Sequence, residues 1–353
     1  MKRSLVLAAL LSVLAAISGG SAYSADNFDD SQIKHIEYPD WFSENLFHDL
    51  SEELEIAGSR GKQGLMVLFT TEGCSYCYLF VQKSLGNPDL ASRVQRQFES
   101  VGLEIFDDRE MTDPRGTDMP IKQFAQHEGA EFAPTLLFYD LDGNRILKLV
   151  GYQSPERFGH VLDYLDGGHF RTEPLREYFA KLSETRGRPA ARPVPGLRTD
   201  PLFGKPPYRL VRGATSETPP LLVIFERAAC DECEEFHDKV LAQPDVRETL
   251  GRFQVVQLDA DDEETAVTTP DGGTVTPASW FHQEGFSRVP ALMFFDQGGV
   301  LALTTDALVL EQRMMNSLNF VLAGAHEKGW TYQRFARSQA IARWQRQQED
   351  KDE

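Results

Sequence analysis

The stretch LFTTEGCSYCYLF, Leu68–Phe80, sets an apolar run directly before a C-x-x-C pair, and IFERAACDECEEF, Ile224–Phe236, does the same far downstream. All four cysteines of the chain are spent in these two motifs. Cys74 and Cys230 lie 156 positions apart, as do Cys77 and Cys233, and the offset persists beyond the motif. It superimposes Leu65–Phe69 on Leu221–Phe225, Pro88-Asp89 on Pro244-Asp245, Ala133-Pro134-Thr135-Leu136 on Val289-Pro290-Ala291-Leu292, and Phe179-Ala180 on Phe335-Ala336. Self-similarity at one fixed spacing marks a duplicated domain, here Leu65 to Ala180 and Leu221 to Ala336.

Each copy follows one order: a buried strand, the C-x-x-C, a helical pattern, a second strand, another helical pattern, then X-Pro, a strand and a tight turn. The final strand and turn are plain in Thr135–Gly143 and again in Ala291–Gly299. Strands alternating with helices and closed by a hairpin predict an α/β fold, two sandwiches in tandem, each a mixed central sheet flanked by helices. Both copies are expected to finish in an amphipathic helix, Pro174 to Ser183 and Tyr332 to Gln345. Helical spacing in Trp41, Leu46, Leu50, Leu54 and Ala57 predicts an additional helix from Trp41 to Gly61 ahead of the first copy. The second copy has no equivalent of it.

The chain has 353 residues, 41% hydrophobic and 25% charged, the balance of a soluble two-domain protein. Lys2 and Arg3 precede an apolar stretch from Leu5 to Ile17 and then small residues through Ala25, the pattern of a cleaved secretory signal. That stretch is shorter than the roughly 20 residues of a membrane span. The expected organisation is a signal peptide over 1–25, a first domain over 26–183, a Pro/Arg-rich linker over 184–220, a second domain over 221–346 and a charged tail over 347–353. The expected location is the periplasm, with no membrane insertion after cleavage. Losing Lys2 and Arg3 moves the formal charge from −18 to −20, a surface that repels nucleic acid.

A C-x-x-C following a buried strand puts its first sulfur at a helix N-terminus, where free N–H groups and the helix dipole stabilise a thiolate. Cys74 and Cys230 are thus the candidate nucleophiles, and Cys77 and Cys233, three residues on, the resolving thiols. The strand, the C-x-x-C and the Ala133-Pro134-Thr135 segment before a later strand together resemble the thioredoxin superfamily. The first copy is most similar to periplasmic thioredoxin-like proteins of the SoxW type and to the thioredoxin domain of bacterial disulfide isomerases. The resemblance implies that Pro134 and Pro290 follow cis peptide bonds and face the cysteine pairs. It also implies that Ala133, Val289 and Tyr76, with the two prolines, contact an extended substrate strand. The chain departs from the family in carrying Gly73 and Ala229 before the pairs and Ser75-Tyr76 and Asp231-Glu232 within them. Leu68 and Ile224 stand where the family buries an acid, so no general base is identified.

Asp231, Glu232, Glu234 and Glu235 favour the helix they begin but raise the pKa of the Cys230 thiol. From this, Cys74–Cys77 is the expected working pair and Cys230–Cys233 a hindered or structural one. The implied activity is that of a protein thiol–disulfide oxidoreductase, reductase or isomerase, without a cofactor. Its expected partners are protein disulfide or dithiol substrates and a redox partner protein. The alternative is a non-catalytic, chaperone-like binding module with structural disulfides. Zinc at Cys230, Cys233 and His237 lacks a fourth ligand, and no metal site is expected. His127 and His282 read as surface residues, Asp259–Glu264 as a solvated loop, and Trp330, Phe335 and Trp344 as packing the last helix onto the second domain.

Overall fold

A computed structural model describes residues 28–43, 48–130, 132–185, 196–213 and 218–352. The expected signal peptide and part of the linker lie outside these. In the first domain strand β1 (Gly64–Thr70) is buried on both faces, which explains its unbroken apolar run. It pairs in parallel with β2 (Phe98–Glu104) and antiparallel with β3 (Thr135–Asp140), which turns back into β4 (Arg145–Val150). The sheet order is β2-β1-β3-β4. The second domain repeats it with β5 (Leu221–Glu226), β6 (Gln254–Asp259), β7 (Ala291–Phe295) and β8 (Leu301–Thr305), in the order β8-β7-β5-β6. Even the hairpin chemistry is copied: Asp140 Oδ1 accepts from Asn144 N–H and Asp296 Oδ1 from Val300 N–H, each at 2.8 Å. The expected fold class, two helix-flanked mixed sheets in tandem, is what the chain adopts.

The helices keep the 156-residue offset as well. Helix α2 (Ser75–Leu79) and helix α3 (Asp231–Phe236) start at the two motifs, and each runs on into a π-helical turn, Phe80–Leu85 and His237–Leu241. Helix α4 (Glu311–Leu322) is the second copy of Pro155–Asp166. One hydrophobic cluster runs through both domains, joining Cys74, Tyr76, Phe80 and Phe158 to Phe236, Leu308, Val309 and Met314. The approach is close: a Cβ on Gly151 would fall 2.4 Å from that of Ala307.

Three expectations need correction. Helix α1 covers only Leu50–Ser59, because Asp49 caps it by accepting from Ser51 and Glu52 N–H; Trp41 instead packs on the ring of Phe42 in a preceding turn. Helix α5 runs from Tyr332 to Asp352, its polar helix formers continuing well past Gln345, and Trp344 is 51% exposed rather than packed. Finally, the later part of the linker is structured. Asp200 binds Arg247 at 2.9 Å, Phe203 meets the His237 ring edge-on, and Tyr208–Arg209 pairs as a strand with Val267–Thr268.

The residue before each motif is left-handed, with φ of +77° at Gly73 and +55° at Ala229. Glycine adopts this freely, whereas a Cβ there costs about 1–2 kcal/mol. Ala229→Gly should therefore stabilise the protein by about 0.5–1 kcal/mol once the greater chain entropy of glycine is deducted. A higher urea midpoint at constant slope is the expected reading, and a lower midpoint, the entropy cost of glycine alone, would show that the turn carries no strain.

Candidate functional site

The two C-x-x-C pairs have nearly the same backbone. Each is closed as a disulfide, with Cα atoms 5.3 Å apart for Cys74–Cys77 and 5.2 Å for Cys230–Cys233. Cys74 and Cys230 are the N-caps of α2 and α3, and their sulfurs accept from Cys77 N–H at 3.1 Å and Cys233 N–H at 3.0 Å. A thiolate formed at either position inherits that hydrogen bond and the positive end of the helix. The resolving sulfurs lie behind, Cys77 fully buried and Cys233 nearly so. The peptide bonds before Pro134 and Pro290 are both cis, as is Pro206–Pro207, which the sequence did not signal. Ala133 lies in the same apolar cluster as Cys74 and Cys77.

What surrounds the pairs differs. Tyr76 is buried, with its hydroxyl donating to Asp30 Oδ2 at 2.7 Å and accepting from Leu310 N–H at 2.9 Å. The Arg313 guanidinium lies over its ring, 3.4 Å from the centroid. Asp30 also takes the N–H groups of Gln312 and Arg313, capping α4, whose own N-cap residue Leu310 offers no side-chain bond. Ser75 Oγ donates to the Asp30 carbonyl. Arg313 further donates to the carbonyls of Leu308 and Ala133, and Gln333 Oε1 accepts from Ala133 N–H. Phe132 stacks on Tyr332. The second domain thus sits on the first site, and Cys74 is 8% exposed. Cys230, by contrast, is half-buried between an exposed Ala229 and an exposed Asp231.

The expected ranking of the pairs, Cys74–Cys77 working and Cys230–Cys233 hindered, meets the reverse order of exposure. Near-neighbour charges could not report a domain folding over the first site. Nor do the acids of α3 stand alone: the linker residue Arg198 binds Glu234 at 3.1 Å and Asp238 at 2.7 Å. Burial, and after it the Arg288 charge, push the Arg157 pKa down to about 9 against the opposing pull of Asp306 and Glu232.

His237 is turned inward to Glu226 Oε2 at 3.1 Å, away from the zinc role weighed for it. Glu226 and His237 are both buried, Gln257 also binds Glu226 Oε2, and Glu226 Oε1 has no partner among the described residues. The second domain therefore holds a buried acid at the end of β5, four residues before Cys230, where the repeat places Thr70. A glutamate closing the apolar run LLVIFE was the available signal. Asp30, Arg313 and Gln333 had none, since each meets the site only through the tertiary fold. His127 and His282 are exposed at helix ends, as expected.

Burial, and then the Asp30 charge, hold the Tyr76 pKa well above the usual 10.0, with Arg313 pulling the other way. Unfolded, Tyr76 ionises near 10, so its contribution to stability is complete below that pH and is lost as the pH climbs beyond it. Tyr76→Phe, which leaves Leu310 N–H unpaired, should cost about 1–3 kcal/mol at pH 8. In urea titrations the gap to the wild type should narrow above pH 10; a gap constant to pH 11.5 would contradict the buried, neutral phenol.

No curated protein matches this chain. Among solved structures, a thioredoxin-fold protein from Helicobacter pylori is 24% identical over 35% of this chain and 81% of its own, with a TM-score of 0.30. A thioredoxin from Thermus thermophilus is 21% identical over 33% and 84%, with a TM-score of 0.27. A disulphide isomerase from Xylella fastidiosa is 14% identical over 43% and 99%, with a TM-score of 0.24. The family model of the thioredoxin-like domain matches residues 50–166 and again residues 211–321, well over half of the chain. Two matches, two mixed sheets and two helix-capping C-x-x-C disulfides lead to one conclusion: the chain belongs to the thioredoxin-like domain family and carries that domain twice.

Proposed function

We propose that the protein is a thiol–disulfide oxidoreductase of the periplasm that exchanges disulfides with protein substrates through mixed disulfides. The observation that carries this reading is the arrangement of each pair, an outer sulfur on a helix N-terminus and an inner sulfur buried behind it. Only the outer sulfur can meet a partner, and only the inner one can resolve the product.

In the reduced protein, the Cys230 thiolate attacks a substrate disulfide, forming one S–S bond as another breaks and one substrate sulfur leaves as thiolate. The Cys233 thiolate then attacks Cys230 Sγ, releasing the second substrate sulfur and closing Cys230–Cys233. Two electrons pass to the substrate, and the reverse sequence oxidises a dithiol. The open thiolate is stabilised by Cys233 N–H and the α3 dipole. Arg198, bound to Glu234 and Asp238, offsets part of the acidity around α3. The periplasmic location rests on the basic, apolar and small-residue order of the first 25 residues.

Replacing Cys233 by Ala removes the resolving step. In a periplasmic extract this variant should accumulate adducts on Cys230, visible on non-reducing gels, abolished by reductant and absent when Cys230 is also Ala. An adduct pattern identical to that of the wild type would count against exchange at this pair.

A further inference from the structure

Ala133 precedes the strand beside the first disulfide, and its N–H and C=O stand outside the β3 ladder, which begins at Thr135. Backbone left free of a ladder in this way is a group an extended polypeptide can pair with. Here both atoms are occupied by side chains of the second domain. Gln333 Oε1 accepts from the N–H at 3.3 Å and Arg313 Nη2 donates to the C=O at 3.3 Å. Arg313 is held in place by Leu308 O and by the rings of Tyr76 and Phe132, so its guanidinium cannot simply swing away. The equivalent residue of the second domain, Val289, is half-buried, and no hydrogen bond engages its N–H or C=O among the described residues. What remains over Cys74 is a polar cleft lined by Glu72, Asn316, Gln333, Arg337 and Arg343.

We propose that Gln333 and Arg313 set the substrate class of the first disulfide, closing Ala133 to extended polypeptides and leaving Cys74–Cys77 to low-molecular-weight thiols and disulfides, while polypeptides use Val289 and Cys230. This rests on the oxidoreductase reading above. The exchange balances: two small thiols reduce Cys74–Cys77 and leave as one disulfide, the first attacking Cys74 Sγ with Cys77 departing, the second attacking the bound thiol sulfur with Cys74 departing.

The test uses the full chain, reduced, with either Cys230→Ser and Cys233→Ser or Cys74→Ser and Cys77→Ser. Single-turnover oxidation is followed with insulin and with glutathione disulfide. The ratio of insulin rate to glutathione rate should be about tenfold or more lower for the chain keeping Cys74–Cys77, the worth of two strand hydrogen bonds. Adding Gln333→Ala to that chain should raise the ratio about fivefold by freeing Ala133 N–H. Gln333→Glu, which keeps an acceptor there, should leave the ratio low and separates the hydrogen bond from general loosening. Equal ratios for the two pairs, or no response to Gln333→Ala, overturn the proposal while leaving the oxidoreductase reading intact. A rise with Gln333→Glu as large as with Ala also overturns it. Exchange with neither probe at either pair overturns both.

Discussion

The Asp30 carboxylate, 9% exposed, accepts from the Tyr76 hydroxyl of the first domain and from two backbone N–H groups at the start of α4 in the second. A buried carboxylate without such partners would cost several kcal/mol, so Asp30 stays inside only while both domains hold their places around it. The dependence runs the other way too. Helix α4 begins at Leu310 without a side-chain cap, and Tyr76 needs an acceptor to be buried at all. A short N-terminal segment thereby locks the residue between the first two cysteines against the second domain. Arg313 follows from this, since its N–H is one of the two that Asp30 caps and its guanidinium is laid across the Tyr76 ring.

Duplication supplied two copies of one device, and the fold has given them different surroundings. The sulfur-to-backbone bonds, the cis prolines and the helix that passes into a π-turn are shared. The contents of the dipeptide between the cysteines are not. Ser75-Tyr76 is an interface pair, one hydroxyl bonded to the Asp30 carbonyl and the other to its carboxylate. Asp231-Glu232 faces solvent more, and the acids that follow it, Glu234 and Asp238, are met by Arg198 of the linker. The first dipeptide is thus a packing element of the interface, whereas the second stays open to solvent.

Strand and repeat were legible because both are local. A buried strand needs a continuous apolar run, and an intact duplication keeps its offset, so Leu65–Phe69, Leu221–Phe225 and the two prolines announced the mixed sheets and the succession of their elements along the chain. Helix ends were less so: Asp49 outcompeted the periodicity that pointed back to Trp41, since one capping carboxylate decides where the first turn begins. The exposure of the two disulfides was not legible at all. It depends on Asp30 meeting Arg313 and on Ala133 meeting Gln333, contacts between residues about 200 or more positions apart in the chain. Nothing in the residues flanking Cys74 encodes such a partner.

An open backbone segment beside a reactive disulfide is useful for docking and hazardous for the same reason, since any extended chain can pair with it. A single domain must leave that segment open or cover it with loops of its own. A tandem copy offers a third solution, because the neighbour is always present at high effective concentration and can be shaped to the site. Here the covering groups are side chains of a packed second domain rather than a strand. Gln333 and Arg313 satisfy Ala133 without entering the sheet, so β3 keeps its register while its approach is closed. In the second domain Val289 and Cys230 are half-buried and within reach of solvent, and the asymmetry between the sites follows from the first being covered by its neighbour.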